Sequence, residues 1–464
     1  MAEGAAAQRE ERDALGPVMV PADAHWGAQT QRAIGNFPIG QERMPPEIVH
    51  ALALVKQAAA TVHARSGAIA PEKAEAIAAA AAEIAAGQHD AQFPLVVWQT
   101  GSGTQTNMNL NEVIASLANE RLTGVRGGKA PVHPNDDVNR GQSSNDSFPT
   151  AMHIAALLLV RRRLLPALHG LAAAFEAKAA AWAGVVKIGR THLMDATPIT
   201  LGQEMGAFAR QLTDGVARIE AVLPRLARLA QGGTAVGTGL NAPPGFAADM
   251  AEELSRLTGE ALVPAPDLFE ALASNDTMLE LSGALNVLAA SLFKIANDIR
   301  LLASGPRAGL GEIELPANEP GSSIMPGKVN PTQCEMVTMV AARVVGNHAT
   351  VTFAAATGQL QLNVMKPVTA DAVLQSLRLL ADAAESFRAR CVEGMRANLP
   401  RLAELRERSL MLVTGLVPEI GYDRAAEIAR KAHEEGLTLL EAGLALGTVT
   451  EEQFRRLVRP EAMV

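Results

Sequence analysis

Between Met278 and Leu302 the apolar residues Met278, Leu281, Leu285, Leu288, Leu292, Ile295, Ile299 and Leu302 recur at alternating spacings of three and four. That period of 3.5 is a helical seam, and at 1.5 Å per residue it makes a rod roughly 37 Å long. Leu279, Val287 and Phe293 widen the apolar surface beyond one stripe, so this helix is expected to meet neighbours on several sides. A helical bundle follows.

Comparable Ala/Leu-rich stretches cover Thr150 to Trp182, Leu201 to Leu229, Thr332 to Ala356 and Ala370 to Met395. Pro166 and Pro224 lie inside two of them, and the apolar pattern resumes beyond each, so both predict kinks rather than ends. A part built of short helices precedes these rods. A compact helical tail follows from about Leu402, where Thr450-Glu-Glu-Gln453 reads as a capping box. The alanine-rich run Ile77 to Ala86 reads as a further helix. Strand signals are almost absent, and no internal repeat or low-complexity tract is evident.

Composition removes several function classes. A net charge of -8 and 3% aromatic residues oppose a nucleic-acid backbone and offer few platforms for stacked bases. Two cysteines, Cys334 and Cys391, build neither a disulfide framework nor a Cys-rich metal site, which fits a reducing, cytoplasmic setting. The polar, acidic N-terminus does not read as a leader. No run approaches the roughly 20 apolar residues of a membrane span.

Against this apolar framework stands Gly321-Ser-Ser-Ile-Met-Pro-Gly-Lys-Val-Asn-Pro331. It sets two hydroxyls, one cation and one amide between glycines and prolines that forbid regular structure, a composition suited to holding an anion. A nucleotide phosphate loop is excluded, because five residues rather than four separate its glycines and Val329 follows the lysine. Gly101-Ser-Gly-Thr-Gln-Thr106 likewise lacks the third glycine and the preceding strand of a dinucleotide site.

Three further polar segments share that chemistry: Thr100 to Asn107, His133 to Asn139 running into Gln142 to Asp146, and Gly189-Arg-Thr-His192. Taken singly each has a plain structural explanation, since Ser, Asn and Asp cap helices and make turns. Together, neutral donors with one lysine suit the oxygens of a small dicarboxylate. A histidine, a serine and an acidic residue could move protons without a metal, and no His-Glu-x-x-His spacing is present. No Gly-x-Ser-x-Gly elbow supports serine hydrolysis.

Gly321 to Pro331 resembles the signature of the fumarase/aspartase superfamily. Gly101 to Asn109, His133-Pro-Asn-Asp136, Ser143-Ser-Asn145 and Gly189 to Leu193 resemble class II fumarases in particular, in order and spacing along nearly the whole chain. Gln105 and Thr332-Gln-Cys-Glu335 also fall on the fumarase side. The resemblance implies an all-α, three-domain subunit, with boundaries placed at residues 1–142, 143–400 and 401–464. It further implies a central five-helix bundle that joins three other copies in a 20-helix homotetramer core, with each active site shared among subunits.

The reaction implied is reversible hydration of fumarate to (S)-malate, with no cofactor and no metal. By resemblance Ser322 is the base, its alkoxide stabilised by backbone N–H groups and Lys328. His192 handles water, oriented by Glu335. Lys328 and Asn330 bind the carboxylate whose charge grows, while Thr104, Asn145 and Thr191 fix the substrate. Ser102, Gly103, Asn107, Ser143, Ser144 and Ser323 complete the binding set. Lys129, His133, Asn135 and Asp136 are candidates for a second dicarboxylate site, weakened because Lys129 is the only basic residue just before His133. A related lyase acting on aspartate or a methyl-substituted fumarate shares nearly all these residues, because one methyl changes binding by only about 1 to 3 kcal/mol. A non-catalytic scaffold would instead predict degraded site loops.

Overall fold

A computed structural model describes residues 7–464, so part of the polar N-terminal segment lies outside the described residues. The heptad seam forms one helix, Asp276–Leu302, and every seam residue from Met278 to Leu302 is at most 5% exposed. Each buried Leu or Ile of this kind contributes about 1.5–3 kcal/mol. By length and mean hydropathy this helix does reach the range of a membrane span, contrary to the sequence expectation. Its buried seam and the charges Asp276, Glu280, Lys294, Asp298 and Arg300 read instead as a core helix. Val287 and Phe293, expected to be covered, are 42% and 46% exposed within one chain.

The other long helices are Leu201–Glu220, Thr332–Ala355, Lys366–Phe387 and a run from Ser144 to Ala181. That run starts six residues before Thr150, because Ser143 and Asp146 close a capping box around its first turn. Pro166 is accommodated by a π-helical turn, Val160–Leu164, which widens the backbone where the proline ring would meet a carbonyl. Pro224 ends rather than kinks its helix: Leu201–Glu220 stops before it, and a separate short helix, Leu223–Leu226, takes the proline in its first turn, where the missing N–H costs nothing.

The N-terminal part is not made only of short helices. Pro46–Arg65 and Thr104–Thr123 each span 20 residues. The second escaped notice because Thr, Gln and Asn interrupt its apolar period, yet most of its length is buried. The alanine run is helical within Pro71–Ala85. Strands among the described residues form four two-stranded sheets, of which the antiparallel pair Val186–Thr191 and Met194–Thr200 matters below.

The chain divides into two compact units. The first comprises Met1–Pro166, Ala217–Ala289 and Ala342–Ala381, and the second Ala167–Val216, Ala290–Ala341 and Asp382–Val464. In the second, the C-terminal helices close over Leu416, Ile428 and Ala442, all buried. Thr450 and Gln453 make the predicted capping box there, each side chain bonding the other's backbone N–H at 3.1 and 2.9 Å.

Candidate active site

In the first unit, the loop before the Thr104–Thr123 helix is shaped by close backbone approach. A side chain on Gly101 would lie 1.4 Å from the Val364 carbonyl oxygen, and Gly103 (φ +74°) has the Phe148 ring against it. Ser102 Oγ and Thr104 Oγ1 are 2.8 Å apart. Gln99 Oε1 accepts from Thr106 N and Oγ1 at 3.0 and 2.9 Å, and Gln105 Oε1 from Thr100 N at 3.2 Å, bracing the loop at both ends.

The neighbouring turn is built on the helix that starts at Ser144. Ser143 Oγ accepts from Asn145 N at 3.2 Å, and Asn145 Nδ2 donates to the Ala235 carbonyl at 2.8 Å. Asn107 Nδ2 reaches Ser144 Oγ at 3.1 Å and Asn139 Oδ1 at 3.2 Å, so the structure joins the Thr100 to Asn107 segment to the Gln142 to Asp146 segment. Asp146, fully buried, accepts from Ser143 N on one oxygen and from Gln231 Nε2, Gly232 N and Thr234 N on the other. Burial pushes its carboxyl up to about 6, against the pull of those N–H groups.

Sequence reasoning missed Lys56. It sits on the Pro46–Arg65 helix with no exposed surface and donates to Asn139 Oδ1 at 2.9 Å and Gln142 Oε1 at 3.0 Å. Burial pushes its ammonium down to about 7. The signal was present: Lys56 is in helical phase with Leu52, Ala60 and His63, on a face otherwise lined by buried residues.

The second unit carries Thr191, His192, the Gly321 to Pro331 loop and Glu335. Thr191 ends one strand, and His192 and Leu193 form the two-residue turn to Met194, with φ of 55° and 63°. Left-handed conformations at both turn positions are usual for Asn-Gly, and two side-chain-bearing residues there are a strained choice of the kind found at functional sites. His192 is exposed at the tip. The base of the hairpin is held by buried charges: Lys187 Nζ meets Glu204 at 2.7 Å and Glu312 at 2.6 Å, while Arg190 meets Glu312 at 2.7 Å.

The Gly321 to Pro331 loop holds itself. Gly321 N donates to the Lys328 carbonyl at 2.9 Å. Ser322 Oγ accepts from Ile324 N at 3.2 Å and Met325 N at 2.9 Å. Lys328 Nζ donates to Asn330 Oδ1 at 2.8 Å, and Asn330 Nδ2 donates to the Gly321 carbonyl. Ser323 and Lys328 are exposed, as is Glu335 in the first turn of Thr332–Ala355. Among the described residues no hydrogen bond within one chain joins His192, Ser322 and Glu335.

His133 caps the π-helical turn Pro134–Val138, its Nδ1 accepting from Asn135 N and Asp136 N at 3.1 Å each. Asn135, Asp136 and Lys129 are exposed. Asp13 is held below the usual carboxylate range by its hydrogen bond to Arg32, opposed by burial, with Lys129 among the smaller contributions. No cluster of three or more His, Cys, Asp or Glu suited to a metal occurs among the described residues.

Residues 16–346 match the lyase family, and residues 412–464 match the fumarase C C-terminus. A fumarate hydratase class II from Methylorubrum extorquens is 63% identical over 98% of this chain and 97% of its own length. One from Myxococcus xanthus is 59% identical over 98% of each. Among solved structures, class II fumarase from Schistosoma mansoni superposes with a TM-score of 0.96 at 44% identity, covering 98% of this chain and 99% of that one. A fumarate lyase:delta crystallin from Brucella melitensis gives 0.94 at 46%, with the same coverage. Full-length likeness of sequence and fold, with the site motifs in order on the elements just described, establishes that the chain belongs to the class II fumarase family.

Proposed function

We propose that this chain catalyses the reversible hydration of fumarate to (S)-malate by metal-independent acid–base chemistry, with Ser322 as the base. The observation that carries the reading is the setting of Ser322 Oγ, which accepts two backbone N–H groups in a loop that also holds Lys328. Removing the C3 proton of malate is difficult because the resulting carbanion must be delocalised into an adjacent carboxylate. A serine alkoxide becomes an accessible base only where fixed dipoles and a cation stabilise it.

In this reading Lys328 and Asn330 turn from each other to the carboxylate on which charge accumulates. Thr104, Asn145 and Thr191 hold the substrate, aided by Ser102, Gly103, Asn107, Ser143, Ser144 and Ser323. His192 exchanges the proton of the departing or attacking water, and Glu335 orients its ring. Lys129, His133, Asn135 and Asp136 are the candidates for a second dicarboxylate site, weakened because Lys129 is the only basic residue just before His133.

These residues act together in a homotetramer with shared sites. The Thr332–Ala355 helix supports this, because it carries two apolar seams. Val337, Val344 and Val351 are buried within the chain, while Met339 and Phe353 are 66% and 70% exposed, with Ala342, Gly346 and Ala349 between them. An exposed seam interleaved with small residues suits close packing against another long helix. The reading keeps the three-domain division at residues 1–142, 143–400 and 401–464. It also places the chain in the cytoplasm, in keeping with its two buried free thiols.

The test is to follow absorbance of the fumarate double bond with the purified chain, with mesaconate and aspartate as parallel substrates. Turnover of fumarate well above the other two supports the proposal. Turnover confined to aspartate or mesaconate transfers the chain to another activity in the superfamily.

A further inference from the structure

Lys56 carries an ionisable nitrogen into the interior of the first unit and, among the described residues, hydrogen-bonds to amides rather than to a carboxylate. A buried ammonium in that position costs stability relative to an apolar side chain of the same length, so packing alone does not account for it. Its geometry does. The nitrogen ends of the two amides it contacts are already committed: Asn139 Nδ2 donates to the Gln142 carbonyl at 3.1 Å, and Gln142 Nε2 donates to the Val138 and Arg140 carbonyls at 3.1 and 3.2 Å. Both amide oxygens are thereby turned toward Lys56.

Asn139 Oδ1 then serves as a hub, accepting also from Asn107 Nδ2 and Asn111 Nδ2 at 3.2 Å each. The same Asn107 nitrogen reaches Ser144 Oγ at 3.1 Å. A chain of hydrogen bonds thus runs from the ammonium through Asn139 to Asn107 and Ser144. In a low-dielectric setting such bonds reinforce one another, and removing Lys56 leaves the Gln142 oxygen without this donor and the Asn139 oxygen with only Asn107 and Asn111, which loosens the hub that holds Asn107.

We infer that Lys56 is a positioning residue for substrate binding: its buried side-chain nitrogen, donating to Asn139 and Gln142, helps set the orientation of Asn107 and Ser144. This rests on the fumarate-hydration reading and adds a residue that touches no substrate. Asp146, two residues after Ser144, ties the same turn to the Gln231 to Thr234 segment by independent bonds, so Lys56 acts on a turn whose backbone is already anchored.

The experiment is steady-state hydration of fumarate by the full-length wild type and by Lys56→Met, with folding checked by circular dichroism and native mass. The expected result is a KM raised about tenfold with kcat nearly unchanged, the signature of lost ground-state positioning. The double variant Lys56→Met/Ser144→Ala should be little worse than Ser144→Ala alone, because the two changes interrupt one chain of bonds. A folded Lys56→Met with wild-type KM overturns the inference. So does a loss of kcat at constant KM that tracks only the unfolded fraction. Should Lys56→Met not fold, Asn139→Ser removes the hub acceptor while leaving Lys56 its contact to Gln142; it must show the same rise in KM, and a wild-type KM there overturns the inference equally. A wild type that does not hydrate fumarate sinks the functional reading and this inference with it, whereas an active wild type with an unmoved KM in the variants sinks this inference alone.

Discussion

Two regions use the same side chains in opposite ways. Around Ser143 to Asn145, the serines and asparagines rest on a buried bed whose bonds come from several helices, with Lys56 beneath and Asp146 beside them. In the Gly321 to Pro331 loop, among the described residues, every hydrogen bond of residues 321–330 ends inside the loop. Lys56 is fully buried and spans elements, whereas Lys328 is exposed and bonds a residue two positions away. The first region is organised by the fold of one unit. The second is organised locally, and under the proposed shared-site arrangement it would reach its working geometry against surfaces of other copies.

The sharpest way to break that contrast is to strike the self-held loop. Ser322→Ala should lower kcat by about a thousandfold, and Lys328→Met by a comparable factor, because fixed donors and cations aimed at developing charge carry effects of that size. Thermal melting should be nearly unmoved, since neither side chain supports a core. Wild-type-like turnover in Ser322→Ala would remove this serine from the role of base.

The claim that other copies complete the site is tested by mixing. Ser322→Ala and His192→Asn, each nearly inactive, should regain about a quarter of wild-type activity when subunits are dissociated, combined in equal amounts and reassembled at random, if the two residues reach one site from different chains. Verified mixed tetramers without recovery would mean that Ser322 and His192 serve a site from one chain.

Stability sharpens the comparison from the buried side. Glu312→Gln leaves Lys187 and Arg190 without their shared carboxylate beneath the His192 hairpin. It should destabilise by about 3–5 kcal/mol in denaturant titrations, as expected when one partner of a buried pair is deleted. An equally large loss from Lys328→Met would erase the distinction between the regions.

Lys56 makes a smaller prediction, in pH. Its folded value of about 7 lies below its ordinary 10.5, so between these limits the unfolded chain binds the extra proton and stability rises with pH. The wild type should therefore gain up to about 1.4 kcal/mol per pH unit across that window relative to Lys56→Met. Parallel stability curves for the two proteins would show that this ammonium is not desolvated in the fold. The smallest expected effect is none: exhaustive chelation should leave fumarate hydration intact, and reversible loss restored by a divalent cation would refute the metal-free chemistry.

Much was legible in the chain itself. The Met278 to Leu302 seam announced its helix, because a repeating apolar period is a local property that burial merely ratifies. The loop motifs were legible because glycines and prolines bar regular structure wherever they cluster. The Thr104–Thr123 helix was not, because buried Asn and Thr whose amide N–H or hydroxyl partners lie elsewhere in the chain look, one residue at a time, like a polar loop. Pro224 misled because a proline that kinks and one that starts a new helix differ only in what packs around them.

By itself the sequence determined the helical class, the Met278 to Leu302 rod and the irregular, polar character of the Gly321 to Pro331 loop, all of which depend on spacing along the backbone. Only the tertiary structure decided that Lys56 and Asp146 are stripped of water around Ser144, that Asn107 is tied to Asn139, and that His192 stands at a hairpin tip rather than in a helix. The reason is the range of the interactions. Periodicity and turn chemistry are settled by neighbours a few residues away, whereas desolvation and hydrogen-bond partnership depend on atoms that the chain brings together from tens of residues apart.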